Sequence, residues 1–185
     1  MRPIILPLCS LFALLPGVPA LADGFTLESA SFGSNATLAT KEVYNKGECN
    51  GGNVSPELHW SGAPADTKSF AVTLFDPDAR GGAGFWHWLV FDISAKATSL
   101  EPGAGAGIGS NTPPGSVSAK NDFGDSGYSG PCPPHGDQPH RYVFTVYALR
   151  TEHLGLNADA DAAAVKKALE GNTLLSTSLQ GQYGR

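Results

Sequence analysis

From Phe25 onward the chain reads as short apolar runs between turn-forming clusters, and several runs alternate with a period of two. That period marks a strand with one buried face. Phe25–Phe32 is a first expected strand and Glu57–Ser61 a short second one. Ser69–Phe75 sets Phe70, Val72 and Leu74 on one face. Over Trp86–Ile93, strict alternation puts Phe85, His87, Leu89, Phe91 and Ile93 on one side and Trp86, Trp88, Val90 and Asp92 on the other. His140–Leu149 repeats the arrangement, with His140, Tyr142, Phe144, Val146 and Ala148 together, and Thr173–Tyr183 reads as a last strand.

One helix is expected. Asn157 or Asp159 can cap its start, residues 160–170 are mostly good helix formers, and Gly171 can stop it. Ala164, Val165, Ala168 and Leu169 would form its apolar stripe. With 23 Gly and 14 Pro punctuating the runs, the pattern predicts an all-β fold with minor helices, a sandwich or barrel. Residues 101–130 break the rhythm with Gly-Ala-Gly-Ala-Gly, Pro113-Pro114 and several Asn, Asp and Ser. Irregular stretches this long are uncommon unless functional, so this one is expected to wrap around a site.

The first residues belong to a different kind of segment. Met1-Arg2-Pro3, the apolar stretch Ile4 to Leu15, and the small-residue end at Ala20-Leu21-Ala22 form the pattern of a secretory signal peptide. The stretch is shorter than the roughly 20 apolar residues that span a bilayer, and no later run is long enough. Cleavage is expected after Ala22, leaving residues 23–185 as one domain in the periplasm or outside the cell. Cys9 would leave with the leader. Cys49 and Cys132 remain, and an oxidising compartment favours a disulfide between them. The chain carries 12 basic against 17 acidic residues, with no Lys/Arg cluster. That balance argues against nucleic acid and against adhesion to anionic membranes.

Three clusters could carry chemistry. Asp76-Pro77-Asp78-Ala79 follows the Ser69–Phe75 strand, Trp86-His87-Trp88 opens the next, and Gly130-Pro131-Cys132-Pro133-Pro134 precedes His140-Arg141-Tyr142. Singly they read as a turn, a core histidine and a loop before a strand. Together they resemble the phosphatidylethanolamine-binding protein family, more narrowly its bacterial and archaeal Raf kinase inhibitor-like branch. Gly52–Gly62, Asn121-Asp122-Phe123-Gly124 and the ending Gly181–Arg185 support the resemblance, which runs from about Phe25 to Arg185.

The resemblance implies an antiparallel β-sandwich with Greek-key features and a small cavity for phosphate, acetate or phosphorylated head groups. Carried over, its wall would be Asp76, His87, Pro133, His140 and Tyr142, with Phe85 or Trp86 as an aromatic side. Two imidazoles and the Tyr142 hydroxyl would donate to the anion, and Asp76 would orient an imidazole. The family usually continues Asp-Pro-Asp-Ala with Pro, where this chain has Arg80, a cation for the rim or for solvent. The implied function is binding of a small anionic ligand, with an unnamed protein partner allowed and no cofactor or metal required. The alternative is a metal- or acid/base-dependent hydrolase using Asp76, His87 and His140. Against it, the chain has no Gly-x-Ser-x-Gly, His-Glu-x-x-His or phosphate loop.

Overall fold

The alternating runs pair into two antiparallel sheets in the computed structural model, which describes residues 24–105 and 111–185. The expected leader, residues 1–22, lies outside the described residues. The strands in chain order are β1 (Thr26–Glu28), β2 (Leu58–Ser61), β3 (Ser69–Asp76), β4 (Phe85–Ser94), β5 (Ser99–Leu100), β6 (Val117–Ser118), β7 (His140–Leu149) and β8 (Thr173–Tyr183). One sheet has the order β1-β2-β5 and the other β6-β4-β3-β7-β8. A four-residue turn, α1 (Ala79–Gly82), joins β3 to β4, and a helix, α2 (Ala162–Asn172), precedes β8. No described helix is long and apolar enough to cross a membrane.

The main core lies between the sheets. Leu27, Leu58, Trp60 and Leu100 meet Phe70, Val72, Leu74, Phe144 and Val146 there. The other face of the large sheet is covered by α2, where Val165 and Leu169 pack with Ala71, Leu89 and Phe91. Each such side chain contributes about 1.5–3 kcal/mol on burial. A one-residue slip of β3 or β7 would exchange the two sets, so register is strongly fixed.

Strands β3 and β7 keep the alternation read from the sequence, and β4 does not. Two residues of β4 have no counterpart on β3, one between Trp86 and Trp88 and one between Val90 and Ile93. The second bulge carries Asp92 at φ 57°. Each bulge reverses the facing of the residues beyond it. As a result Trp88, Val90 and Ile93 enter the inter-sheet core, while Leu89 and Phe91 join Trp86 on the helix side. The single face expected for His87, Leu89, Phe91 and Ile93 is therefore split.

The helix also begins later than expected. Asp161 is its cap, accepting the Ala164 N–H at 2.8 Å, whereas Asn157 closes the preceding turn on the Asp159 N–H at 2.9 Å. It runs through Gly171 because Thr173 passes directly into extended backbone and no left-handed stop is formed. Among the described residues, the stretch around 101–130 holds only β6 and an isolated bridge, Lys120 to Ser126. Its second half runs along the edge of β4, where the Ala119, Asp122 and Ser129 N–H groups donate to the carbonyls of Leu89, Trp86 and His87. Cys49 and Cys132 are disulfide-bonded, with α-carbons 5.9 Å apart, which pins the chain ahead of β2 to the proline-rich segment ahead of β7.

Candidate functional site

At one end of the large sheet, the last residue of β3 and the first residues of β4 and β7 surround a cavity of about 230 Å³. That is small beside the roughly 300–1,000 Å³ of drug-sized sites. Asp76, His87 and His140 all line it and all are buried. They converge because β3 is central, with β4 on one side and β7 on the other, both antiparallel to it.

Asp76 is fully engaged. Its Oδ1 accepts the N–H groups of Asp78 and Ala79 at 2.9 and 3.1 Å, which folds the chain sharply after the strand. Its Oδ2 accepts the Nδ1–H of His140 at 2.7 Å and lies 4.0 Å from Nε2 of His87. His87 spends its own Nδ1–H on the Ser129 carbonyl at 2.8 Å. Burial pushes this imidazole down to about 4, against the opposing pull of the Ser129 carbonyl and the Asp76 charge. At neutral pH His87 is thus uncharged, with Nε2 as an acceptor. The two histidines therefore use their Nδ1 protons on the protein, not on a ligand. Either donates from Nε2 only when protonated, which changes the expectation that both simply offer N–H groups.

The segment that fixes His87 is itself held by Asn121. The buried Asn121 amide donates to the carbonyls of His87 and Gly127 at 3.2 and 3.1 Å and to Ser129 Oγ at 2.9 Å. Its Oδ1 accepts the N–H groups of Phe123 and Asp125 at 2.9 and 3.2 Å. Asn121 thereby links the His87 tautomer to the loop that carries Phe123.

Pro133 lines the cavity beside Cys132, and its carbonyl accepts Arg185 Nε at 2.7 Å. Arg80 stands on the rim. Its guanidinium lies 4.5 Å from the Phe85 ring centre and 3.4 Å from Asp122, and its side chain is 55 % exposed. Its φ of 53° is left-handed, and Gly81 continues that conformation at φ 66°. A proline, locked near −65°, could not occupy this backbone. The turn with Arg80 therefore differs in shape from one with the family's usual residue.

Two expected residues fall elsewhere. Tyr142 lies under the cavity and does not line it. It is fully buried, edge-on to His87 with ring centres 5.4 Å apart. Its hydroxyl completes no hydrogen bond among the described residues, and burial together with the Asp76 charge raises its pKa far above the usual phenol range. Trp86 is on the opposite face of the sheet, 4.5 Å from Phe75, because it alternates with Phe85, which faces the cavity. The aromatic side is formed by Phe85 and Phe123, 4.5 Å apart.

Further lining residues carry no role in the sequence reading. Asp78 is gripped by Arg141 through Nε and NH2, at 3.0 and 2.7 Å, and that guanidinium holds its carboxyl down to about 2. Asp137 approaches His140 Nε2 at 3.6 Å. Asn121 and Phe123 sit inside a recognisable motif, yet an Asn-Asp-Phe-Gly run reads as a turn until the long-range partners of the amide are seen. Among the described residues no group of three His, Cys, Asp or Glu is arranged to hold a metal ion.

Residues 28–184 match the phosphatidylethanolamine-binding protein family. The chain belongs to that family. Among its relatives is the UPF0098 protein YbcL of Escherichia coli K12, 43 % identical over 164 residues that cover 89 % of this chain and 90 % of YbcL. The crystal structure of YbcL, described as a new member of the mammalian PEBP family, superposes with a TM-score of 0.85 at 42 % identity, covering 88 % of this chain and 99 % of that one. YbhB of the same organism is 40 % identical over 79 % of this chain and 91 % of its own length. A putative lipoprotein of Mycobacterium tuberculosis, LppC, is 34 % identical over 86 % of this chain and 74 % of LppC. The two-sheet architecture described above is thus that of the phosphatidylethanolamine-binding proteins, with the Asp76–His87–His140 cavity at the end of the larger sheet.

Proposed function

We propose that this phosphatidylethanolamine-binding family member is an exported receptor for a small phosphorylated or carboxylated ligand, held in the cavity between His87 and His140. The observation that carries the reading is the convergence of both imidazoles on Asp76 Oδ2 inside the cavity, with each Nδ1 hydrogen-bonded to the protein and each Nε2 no closer than 3.6 Å to a carboxylate. A protonated imidazole there becomes both a donor and a positive charge, so an anion enters together with a proton. Arg80 adds a half-exposed cation at the mouth. Export is supported by the leader pattern of residues 1–22, by the Cys49–Cys132 disulfide and by similarity to a putative lipoprotein.

A hydrolytic role has one feature in its favour, the Asp76–His140 pair, which has the form of an oriented general base. Among the described residues the cavity wall offers it no hydroxyl or thiol nucleophile: Cys132 is tied in the disulfide, and no serine or threonine lines the cavity. Binding is the reading the geometry favours.

Isothermal titration of inorganic phosphate into residues 23–185 at mildly acidic pH tests it. Binding is expected for the native chain and a loss of at least tenfold for His140→Ala and for His87→Ala. Phosphate that does not bind, or that binds both variants as well as the native chain, overturns the reading. Turnover of a phosphate or carboxylate ester that depends on Asp76 and His140 would replace it with the hydrolytic one.

A further inference from the structure

The β6 edge of the larger sheet borders a second cavity, of about 620 Å³, which shares no lining residue with the first. Its size is typical of ligand sites. Strand β6 forms one wall, and residues 156–158, ahead of α2, form another. A contact next to the cavity ties the two walls together. The Lys120 N–H donates to the Ala160 carbonyl at 3.1 Å, and Lys120 Nζ meets Asp159 at 2.8 Å. Among the described residues no ionisable side chain lines the cavity itself.

The strand on this wall has unpaired main chain. In the β4–β6 register Ser118 stands opposite Val90 and Val117 opposite Phe91, and the Ala119 N–H donates to the Leu89 carbonyl. Along an antiparallel strand, residues whose main chain turns toward the partner alternate with residues whose main chain turns away. Val117 and Ala119 therefore turn toward β4, and the N–H and C=O of Ser118 turn outward. Lys120, the next residue to turn outward, finds Ala160, whereas Ser118 finds no main-chain partner among the described residues. The Ser118 hydroxyl is buried and also lacks a partner there. Sheet edges are commonly blunted by a charge, a proline or a covering segment. Here the cover reaches Lys120 and stops short of Ser118.

We propose that this cavity takes an extended, uncharged peptide segment, which adds a strand to β6 through the N–H and C=O of Ser118. The inference is independent of the anion-binding reading. A compact ligand lacking a paired donor and acceptor would cover one of the Ser118 groups without satisfying it. A peptide main chain supplies both at the right spacing. Side chains of an added strand keep step with those of β6. The residue bonded to Ser118 shares its face and meets its hydroxyl. The residues on either side share the face of Val117, which packs with Leu156 against the helix-side core. The fitting order is therefore apolar, hydroxyl, apolar, as in Val-Thr-Val. A charged side chain would find no counter-ion in the lining.

Titration of isotope-labelled residues 23–185 with the capped peptide acetyl-Ser-Val-Thr-Val-Ser-amide, read from backbone amide chemical shifts, tests it. Saturable shifts are expected at Val117, Ser118 and Leu156, with a Kd at or below about 1 mM. The same peptide with Lys in place of each Val should bind about tenfold more weakly. Ser118→Pro removes the outward N–H at a position where a sheet edge tolerates proline, and should also weaken binding about tenfold. Ala158→Trp, which fills the cavity from an exposed position, should do the same. Native amide shifts along β3 and β7 report that each variant keeps its fold. If Ser118 shows no saturable shift up to about 5 mM peptide, or if both variants bind as the native chain does, the proposal is overturned. Shifts at Val117 and Ser118 that follow protein concentration alone overturn it in favour of a second copy of this chain at the edge.

Discussion

The buried imidazole of His87 gives the molecule a pH dependence. Unfolded, a histidine titrates near 6.5, and folded, His87 is pushed down to about 4 by burial. Between those values the unfolded chain holds the extra proton, so stability is lost as pH falls from about 6.5 to about 4. The loss is on the order of 3 kcal/mol. Chemical denaturation at pH 7, 5.5 and 4.5 should reveal it, and His87→Gln should flatten the profile. Sulfate, which carries no proton in that range, should oppose the loss. Its affinity is expected to rise by up to about tenfold per pH unit on going from 7 toward 4, with Asp76, Asp122 and His140 as the ionisable groups facing or acting on His87. Affinity that does not change between pH 7 and 5 would show that His87 takes no proton. At this scale the sequence was partly readable. Asp76, His87 and His140 could be named, because a motif brings their order and spacing. The donor of each imidazole could not, because Ser129 and Asn121 reach His87 from more than thirty residues away.

Among the elements, β7 and β4 mark the limits of periodicity. His140–Leu149 keeps a strict alternation, and its inner face was legible residue by residue. In β4 two bulges reverse the alternation, and nothing in Phe-Trp-His-Trp-Leu-Val-Phe-Asp reveals where an extra residue will be inserted. The cost of missing them was the facing of Leu89 and Phe91, which alternation set beside His87 and which pack on the helix side instead. The turn between β3 and β4 is a second irregular element, with Arg80 and Gly81 both left-handed. A non-glycine residue in that region costs about 1 kcal/mol, which the site absorbs in order to hold the Arg80 side chain over Phe85. Arg80→Pro is expected to break this turn and to lower stability by about 1–3 kcal/mol, together with a loss of anion affinity. Denaturant midpoints and phosphate titration measure both. A variant with native stability would mean that the turn can readily adopt another shape.

Across the whole molecule, the cavity depends on segments far apart in sequence. The disulfide links positions 83 apart, and in the loop-entropy account a closure of that length contributes about 4–5 kcal/mol. Replacing Cys49 and Cys132 by serine should lower stability by about 2–5 kcal/mol and weaken phosphate binding, because the Cys132–Pro133 wall loses its tether. Equal affinity in the serine pair would show that the wall is held by other contacts, such as Arg185 on the Pro133 carbonyl. An all-β fold, sandwich or barrel, was readable from alternation and turn residues, and the choice of a sandwich came with the family resemblance. The placing of a cystine beside the binding wall has a consequence for timing. A precursor retained where thiols stay reduced would carry a slack wall and trap anions poorly. On the proposed export and anion binding, passage into an oxidising space would tighten it, and delivery itself would arm the site.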